Sequence, residues 1–347
     1  MALLANAWVE KGRVVTLLTL DDGKVPPFYP LAQNITHVPL GVAADSGGSL
    51  WRGLANNIGR IRTLRRAIAR TRPDLVVSFL DQVNVITVAA TRGMKVPVVV
   101  AERTDPAHAT GGFWRLARRW AYRHADALIA QTESAASYLS EWTGRTAIVL
   151  PNPVLPVPPV EPAPLARPTI VAVGRLAGVK NFDLLIGAFA RVAGRFSDWH
   201  LAIAGEGPER GKLEALIEKL GLTERVHLLG LVEQPARVLR AADLFALSSR
   251  HEGFPNALCE AMACGLAVIA TDCAGPRAIV RPEIDGLLVP RLDEPAMAQG
   301  LSRLMDDAGL RARLGEKARE VLDRFSYERT LGEWDTVFER LLRRGVT

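Results

Sequence analysis

Two apolar patterns alternate along this chain. Short unbroken apolar runs occupy residues 14–20, 74–80, 96–101, 126–130 and 146–150, with a weaker one at 35–40, and again 169–173, 200–204, 226–229, 243–247, 267–271 and 287–289. Between them lie stretches with apolar residues every three or four positions, at 50–70, 83–92, 112–123, 133–142, 181–192, 209–220 and 256–264. Unbroken runs suit strands buried on both faces of a parallel sheet, and the longer period suits the helices that cover it. The alternation predicts an α/β protein of two doubly wound, Rossmann-like domains. Ligands on such sheets bind at the carboxyl ends of the strands, so the expected site is a cleft that the two domains face.

The boundary falls at 151–168, where eight of 18 residues are proline. Proline fixes φ and removes backbone donors, so the segment reads as a semi-rigid linker. The expected layout is a first domain over 1–150, the linker over 151–168, a second domain over 169–325, and a closing helix over 326–347 that returns to the first domain. The opening breaks the pattern. Residues 1–12 read as an amphipathic helix stopped at Gly12, and no strand precedes it. The expectation is a first domain missing its first strand, or a chain whose start lies upstream of Met1.

Composition narrows the class. The 347 residues are 48% hydrophobic with 29 Gly and 22 Pro, which excludes fibrous and low-complexity proteins. Three cysteines (Cys259, Cys264, Cys273) cannot make a disulfide framework, so a cytoplasmic setting is expected and the thiols read as packing. No apolar run is long enough to span a membrane. The net charge of +6 is concentrated: residues 51–123 hold 14 basic and 4 acidic side chains. An anionic partner for the first half follows, the alternative being a solvated Arg-rich surface. Residues 113–123 and 51–72 read as basic helices carrying tryptophan, which suits the inner face of an anionic membrane.

The densest chemistry lies in the second half. The first strand there ends at Gly174-Arg175, and Lys180 precedes a helix. A strand end opening into a helix offers free backbone N–H groups, and two cations beside them could neutralise a diphosphate without a metal, the alternative being a surface turn with two solvated bases. The next strand ends in Gly205-Glu206-Gly207-Pro208, where two glycines permit close backbone approach. The strand at 243–247 leads into Ser248-Ser249-Arg250-His251-Glu252-Gly253-Phe254-Pro255-Asn256-Ala257-Leu258-Cys259-Glu260. Glu252 in the loop and Glu260 one turn into the helix can hold two parts of one extended ligand. Carboxylates accept from hydroxyls, so a sugar and a ribose are natural partners. The alternative is an acid favoured by the helix dipole plus a salt-bridged carboxylate.

Taken together, these motifs resemble the retaining glycosyltransferases of family four, in particular those building polysaccharides or lipid-linked glycans. The resemblance spans the second domain and, more loosely, the first. It implies the GT-B fold and a sugar-nucleotide donor, a UDP-sugar as first choice, with hexosyl or N-acetylhexosaminyl transfer and no other cofactor. It implies that Gly174, Arg175 and Lys180 grip the diphosphate and that Glu252 contacts sugar hydroxyls. Amides of Gly253, Phe254 and Pro255 would line the sugar, and those of Asn256, Ala257 and Leu258 would meet phosphate. Glu260 would hold the ribose, with Gly205, Gly207 and Val232 completing the donor pocket. The departing phosphate would deprotonate the acceptor on the same face, retaining the anomeric configuration. In the first domain, Glu102-Arg103-Thr104-Asp105-Pro106 follows a strand, and similar segments in such enzymes suggest Glu102 and Arg103 near the acceptor or the reacting carbon; an internal ion pair is the alternative.

Competing classes leave weaker traces. No Asp-x-Asp pair or metal-ligand spacing occurs, and the adjacent pairs Asp21-Asp22 and Asp306-Asp307 read as surface loops. No Gly-x-Gly-x-x-Gly follows a strand, which removes a dehydrogenase. Nucleic-acid modules are lacking. A nucleotide-sugar epimerase and a truncated, non-catalytic sugar-nucleotide-binding protein remain as alternatives.

Overall fold

The computed structural model describes residues 1–27, 29–42, 50–108 and 112–344, with the side chains of residues 50–56, 108 and 344 outside the description. Trp51, singled out above in the second basic helix, falls among those side chains. The chain divides into two compact units, one of Met1–Ala130, Ala136–Leu150 and Leu331–Thr347, the other of Gln131–Ala135 and Pro151–Thr330.

In the first unit, α1 (Ala2–Glu10) leads into β1 (Thr16–Thr19) and β2 (Thr36–Pro39). Then follow α2 (Leu50–Thr71), β3 (Val76–Phe79), α3 (Asp81–Thr91), β4 (Val98–Ala101), α4 (Phe113–His124), β5 (Ala127–Ala130), α5 (Glu133–Thr143) and β6 (Ala147–Val149). Strands β3-β4-β5-β6 form one parallel sheet, whereas β1 and β2 pair only with each other. Every residue of β4 and β5 is buried, as their unbroken apolar runs require, while β1 and β3 are mostly half-buried. Leu18 of β1 and Val76 of β3 nonetheless pack against the same cluster of Leu64, Ile68, Ile86 and Ala90. At this end of the unit the Trp8 and Trp334 rings meet edge-on at 5.6 Å.

The second unit runs β7 (Thr169–Val173), α6 (Phe182–Ala193), β8 (His200–Ala204), α7 (Arg210–Lys219), β9 (Val226–Gly230), α8 (Pro235–Ala241), β10 (Leu244–Leu247), α9 (Asn256–Ala263), β11 (Val268–Thr271), α10 (Ala274–Ile279) and β12 (Leu287–Val289). Helices α11 (Glu294–Asp306), α12 (Ala308–Ala318), α13 (Val321–Arg324) and α14 (Tyr327–Arg344) close the chain. The six strands are parallel in the order β12-β11-β10-β7-β8-β9. Alternate residues point to opposite faces. Ile170, Ala172, Leu201, Ile203, Leu244 and Ile269 join a core with α6, α11 and α12, while Val171, Ala202, Phe245 and Val268 join another with α8 and α9. Helices on both faces make the sheet doubly wound.

The proline-rich segment is packed along the second unit rather than hanging free. Val154 is buried and its N–H donates to the Phe325 carbonyl at 2.9 Å. Carbonyls of a proline-rich chain have no strand partner, and here Arg237 donates to Glu161 O while Arg240 donates to Val157 O and Pro158 O. The acidic pairs also have structural duties: Asp307 caps α12 by accepting from Leu310 N at 2.8 Å, and Asp306 pairs with Arg195.

Candidate active site

Because β7, β8 and β10 are parallel and β7 lies between the other two, their carboxyl ends emerge side by side. This gathers three loops, carrying Gly174 to Lys180, Gly205 to Pro208, and Ser248 to Pro255. Hydrogen bonds stitch the first loop to the third: Arg250 N donates to Val179 O at 2.8 Å, Ser248 Oγ to Lys180 O at 2.8 Å, and Arg250 Nε to Asn181 Oδ1 at 3.0 Å. Asn181 adopts the left-handed conformation at φ 55°, which turns the chain from Lys180 into α6.

Lys180 Nζ meets Glu252 Oε1 at 2.6 Å, and Ser249 Oγ donates to the same oxygen at 2.7 Å. The first turn of α10 supports the Glu252 backbone, since Gly275 N donates to Glu252 O at 3.0 Å. A Cβ at Gly275 would stand 2.7 Å from Pro255 Cδ and 2.9 Å from Gly253 O, so only glycine lets the two loops close. Arg175 is exposed and, among the described residues, its guanidinium makes no hydrogen bond or ion pair. A tethered cation and an untethered one thus stand in one loop.

Helix α9 opens after Pro255 with no side chain capping its N-terminus. Leu258 N and Cys259 N already donate to Pro255 O at 3.2 and 3.3 Å. That leaves the amides of Asn256 and Ala257 as the ones an anion could take. Phe254 and Leu258 are buried and Ala257 half-buried, so these residues present backbone rather than side chain. The Asn256 side chain accepts from Asn152 Nδ2 at 2.7 Å. Glu260 is half-buried, its carboxyl has no hydrogen-bond or ion-pair partner among the described residues, and burial holds that carboxyl above the usual range. Val232 is half-buried just beyond β9, against the core cluster that contains Leu258. The cysteines are not nucleophiles here: burial pushes Cys273 up to about 11 and Cys259 higher still.

The two glycines after β8 have a reason that involves no ligand. A Cβ on Gly205 would fall 1.9 Å from Gly174 O, and one on Gly207 would fall 2.3 Å from Leu176 O. They let the β7 and β8 loops touch, with Leu176 N donating to Glu206 O at 2.9 Å.

In the first unit, Glu102 is 1% exposed and turned inward. Its carboxylate accepts from Arg103 N, Thr104 N and Thr104 Oγ1 at 3.0, 3.0 and 2.6 Å, and from Arg118 and Tyr122 Oη at 2.5 Å each. The ion pair is therefore with Arg118 on α4, sixteen residues away, and not with neighbouring Arg103. The sequence places Arg118 in a basic helix suited to an anionic membrane or to solvent; the structure corrects this for Arg118, which is buried. Arg103 stacks instead, its guanidinium carbon 4.8 Å from the Phe79 ring centre and 6.0 Å from that of Trp334. Burial pushes its pKa down to about 10. The rest of α4 is the reverse of a packed amphipathic helix: Phe113, Leu116 and Trp120 are 67%, 69% and 38% exposed, and Arg115, Arg119 and Arg123 border them in solvent.

The structure thus brings together Gly174, Lys180, Glu252, Gly253 and Pro255, with Arg175 in the same loop and Asn256 opening the adjoining helix. It holds Glu102 and Arg103 in the other unit. Sequence reasoning passed over Ser249, although a hydroxyl three residues before the loop glutamate was visible. It also missed Arg118 and Tyr122 as partners of Glu102, which only the packing of α4 against the Asn84 side of α3 decides.

Comparison with known proteins followed from this geometry. The family description "Glycosyl transferases group 1" matches residues 158–321, and "Glycosyl transferase 4-like domain" matches residues 1–154. The Campylobacter jejuni GalNAc-alpha-(1->4)-GalNAc-alpha-(1->3)-diNAcBac-PP-undecaprenol alpha-1,4-N-acetyl-D-galactosaminyltransferase is 28% identical over 96% of this chain and 92% of its own. An exopolysaccharide phosphotransferase of Streptomyces coelicolor is 37% identical over 63% of this chain, a match that spans only 24% of that relative's length. Both are transferases by name, which does not favour an epimerase. Among solved structures, Anabaena HepE in complex with UDP and glucose superposes with a TM-score of 0.81 at 19% identity, covering 98% of this chain and 95% of that one, and so shares its fold.

Proposed function

Because this chain belongs to the family-four glycosyltransferases and has their GT-B fold, we propose that it moves a hexosyl or N-acetylhexosaminyl group from a UDP-sugar to a glycan or lipid-linked acceptor. In this reading the anomeric configuration is retained and no resident cofactor is needed. The observation that carries it is the meeting of Lys180 and Glu252 at 2.6 Å where β7 and β10 end. As the glycosidic bond breaks, negative charge grows on the leaving phosphate. Arg175, the remaining N–H groups of Lys180 and the first amides of α9 stabilise that charge. Glu252 accepts from sugar hydroxyls, and Glu260 accepts from the ribose. HepE, on the same fold, is solved in complex with UDP and glucose, which supports a nucleotide and a sugar as the ligand chemistry.

The experiment is Glu252→Ala with UDP binding and sugar transfer measured side by side. Binding kept and transfer lost is the expected result; unchanged transfer removes Glu252 from the mechanism.

The acceptor side of the proposal rests on α4. Its exposed Phe113, Leu116 and Trp120, spaced three and four residues apart, form one ridge beside three arginines. Such a helix lies in the interface of an anionic bilayer, its rings among the acyl chains and its arginines on headgroups. No helix among the described residues is long and apolar enough to cross a membrane. Peripheral docking at the cytoplasmic face would bring the enzyme to a lipid-linked acceptor, as the undecaprenol named in the Campylobacter relative suggests. Co-sedimentation with anionic liposomes should occur and weaken with salt. Equal binding to neutral liposomes at all salt levels would count against it.

A further inference from the structure

Glu252 is held asymmetrically. Both of its side-chain contacts, Lys180 Nζ at 2.6 Å and Ser249 Oγ at 2.7 Å, converge on Oε1. Among the described residues no donor reaches Oε2. The carboxylate is 14% and the lysine side chain 22% exposed, while Ser249 is 1% exposed with its own carbonyl accepting from Thr271 Oγ1 at 2.6 Å. The serine is therefore rigid, the lysine less so. A carboxylate free to rotate would present either oxygen, or neither, to a substrate hydroxyl. Tying one oxygen down fixes where the other one points.

We propose that Ser249 is a positioning residue, whose hydroxyl keeps Glu252 Oε1 turned toward the protein so that Oε2 alone receives the hydroxyls of the donor sugar. This rests on the reading of Glu252 as the sugar's acceptor group. It also frees Lys180. An ammonium has three N–H groups, of which Glu252 takes one. When a diphosphate draws the lysine toward itself, Ser249 alone suffices to hold the carboxylate in place. The fixed hydroxyl and the mobile cation thus divide two tasks that a single lysine would otherwise have to perform together.

The test measures UDP affinity, UDP-sugar affinity and donor turnover on the full chain, using the best donor from a panel of UDP-hexoses and UDP-N-acetylhexosamines. Hydrogen bonds to charged groups are worth enough that Ser249→Ala should lower turnover about 10- to 100-fold. UDP lacks the sugar, so its affinity should stay at the wild-type value. Ser249→Cys, nearly the same size but a weak donor, should fall in the same direction and guards against a folding artefact. In a Glu252→Ala background, Ser249→Ala should not change the ratio of UDP-sugar to UDP affinity any further, because its only route to the sugar is gone. Wild-type turnover in Ser249→Ala, with Glu252→Ala inactive, overturns the positioning role and leaves the site standing. A further loss of that ratio in the Glu252→Ala background also overturns it, since the serine would then act by another path. Full activity in Glu252→Ala sinks the underlying reading instead.

Discussion

Glu102 after β4 in the first unit and Glu252 after β10 in the second, two of the glutamates that follow strands, have opposite fates. Glu102 is sealed in, with five donors on its two oxygens and Arg118 as counter-ion. Glu252 has two donors on one oxygen and, among the described residues, none on the other. The first is a structural fastener that anchors the Arg103 loop to α4. The second is a half-satisfied group, the arrangement a binding site requires. A carboxylate's role depends on how many of its lone pairs the fold leaves empty.

The contrast can be broken most severely at the buried end. Glu102→Ala leaves Arg118, 4% exposed at its side chain, with no counter-ion. Removing one member of a buried pair costs about 3–5 kcal/mol, which denaturant unfolding should register, with UDP affinity of the folded protein little changed. At the half-open end the effect should move from stability to rate. Lys180→Ala should raise the barrier to transfer by about 2.7–4 kcal/mol, the cost of losing one transition-state donor, while thermal unfolding shifts little.

Glu260 sharpens the comparison, being a carboxylate held above its usual pKa by burial without a partner. Glu260→Gln should stabilise the free protein by about 0.5–2 kcal/mol and weaken UDP binding; a thermal shift with and without UDP reads both. The smallest effect belongs to Asp335, where burial works to raise the carboxyl but hydrogen bonds from Lys11 and Arg13 outweigh it and hold the pKa down. A depressed carboxyl stabilises the fold above the unfolded value near pH 4 and loses that contribution as pH falls through the folded value. Since the cations are partly exposed, Asp335→Asn should cost at most about 1 kcal/mol at pH 7. A melting-temperature series from neutral to acid should show the variant and the parent converging at low pH.

Much of the fold was legible before any coordinates. The runs at 169–173, 200–204 and 287–289 are strands β7, β8 and β12 to the residue, because unbroken apolar sequence between turns has no other soluble use than a sheet covered on both sides. That the motif residues gather where strands end was legible for a related reason. Glycines, cations and acids at strand ends are costly to place at random, so their spacing carries information. The fate of Glu102 was not legible, because its partners Arg118 and Tyr122 lie one helix away in sequence. Nothing local distinguishes Arg118 from Arg115 or Arg119 except which side of α4 faces the core.

Sequence alone determined the alternation of parallel strands and helices, the two Rossmann-like units and the family, since these depend on periodicity and on residue types at short range. Only tertiary structure decided which charges are spent internally and which are available. Lys180 on Glu252, Arg118 on Glu102, and the close passage of Gly205 past Gly174 all join residues from different strand ends or helices. Hydrogen bonds form only at hydrogen-bond distance, and chain folding brings these groups together in a way that no separation along the sequence encodes.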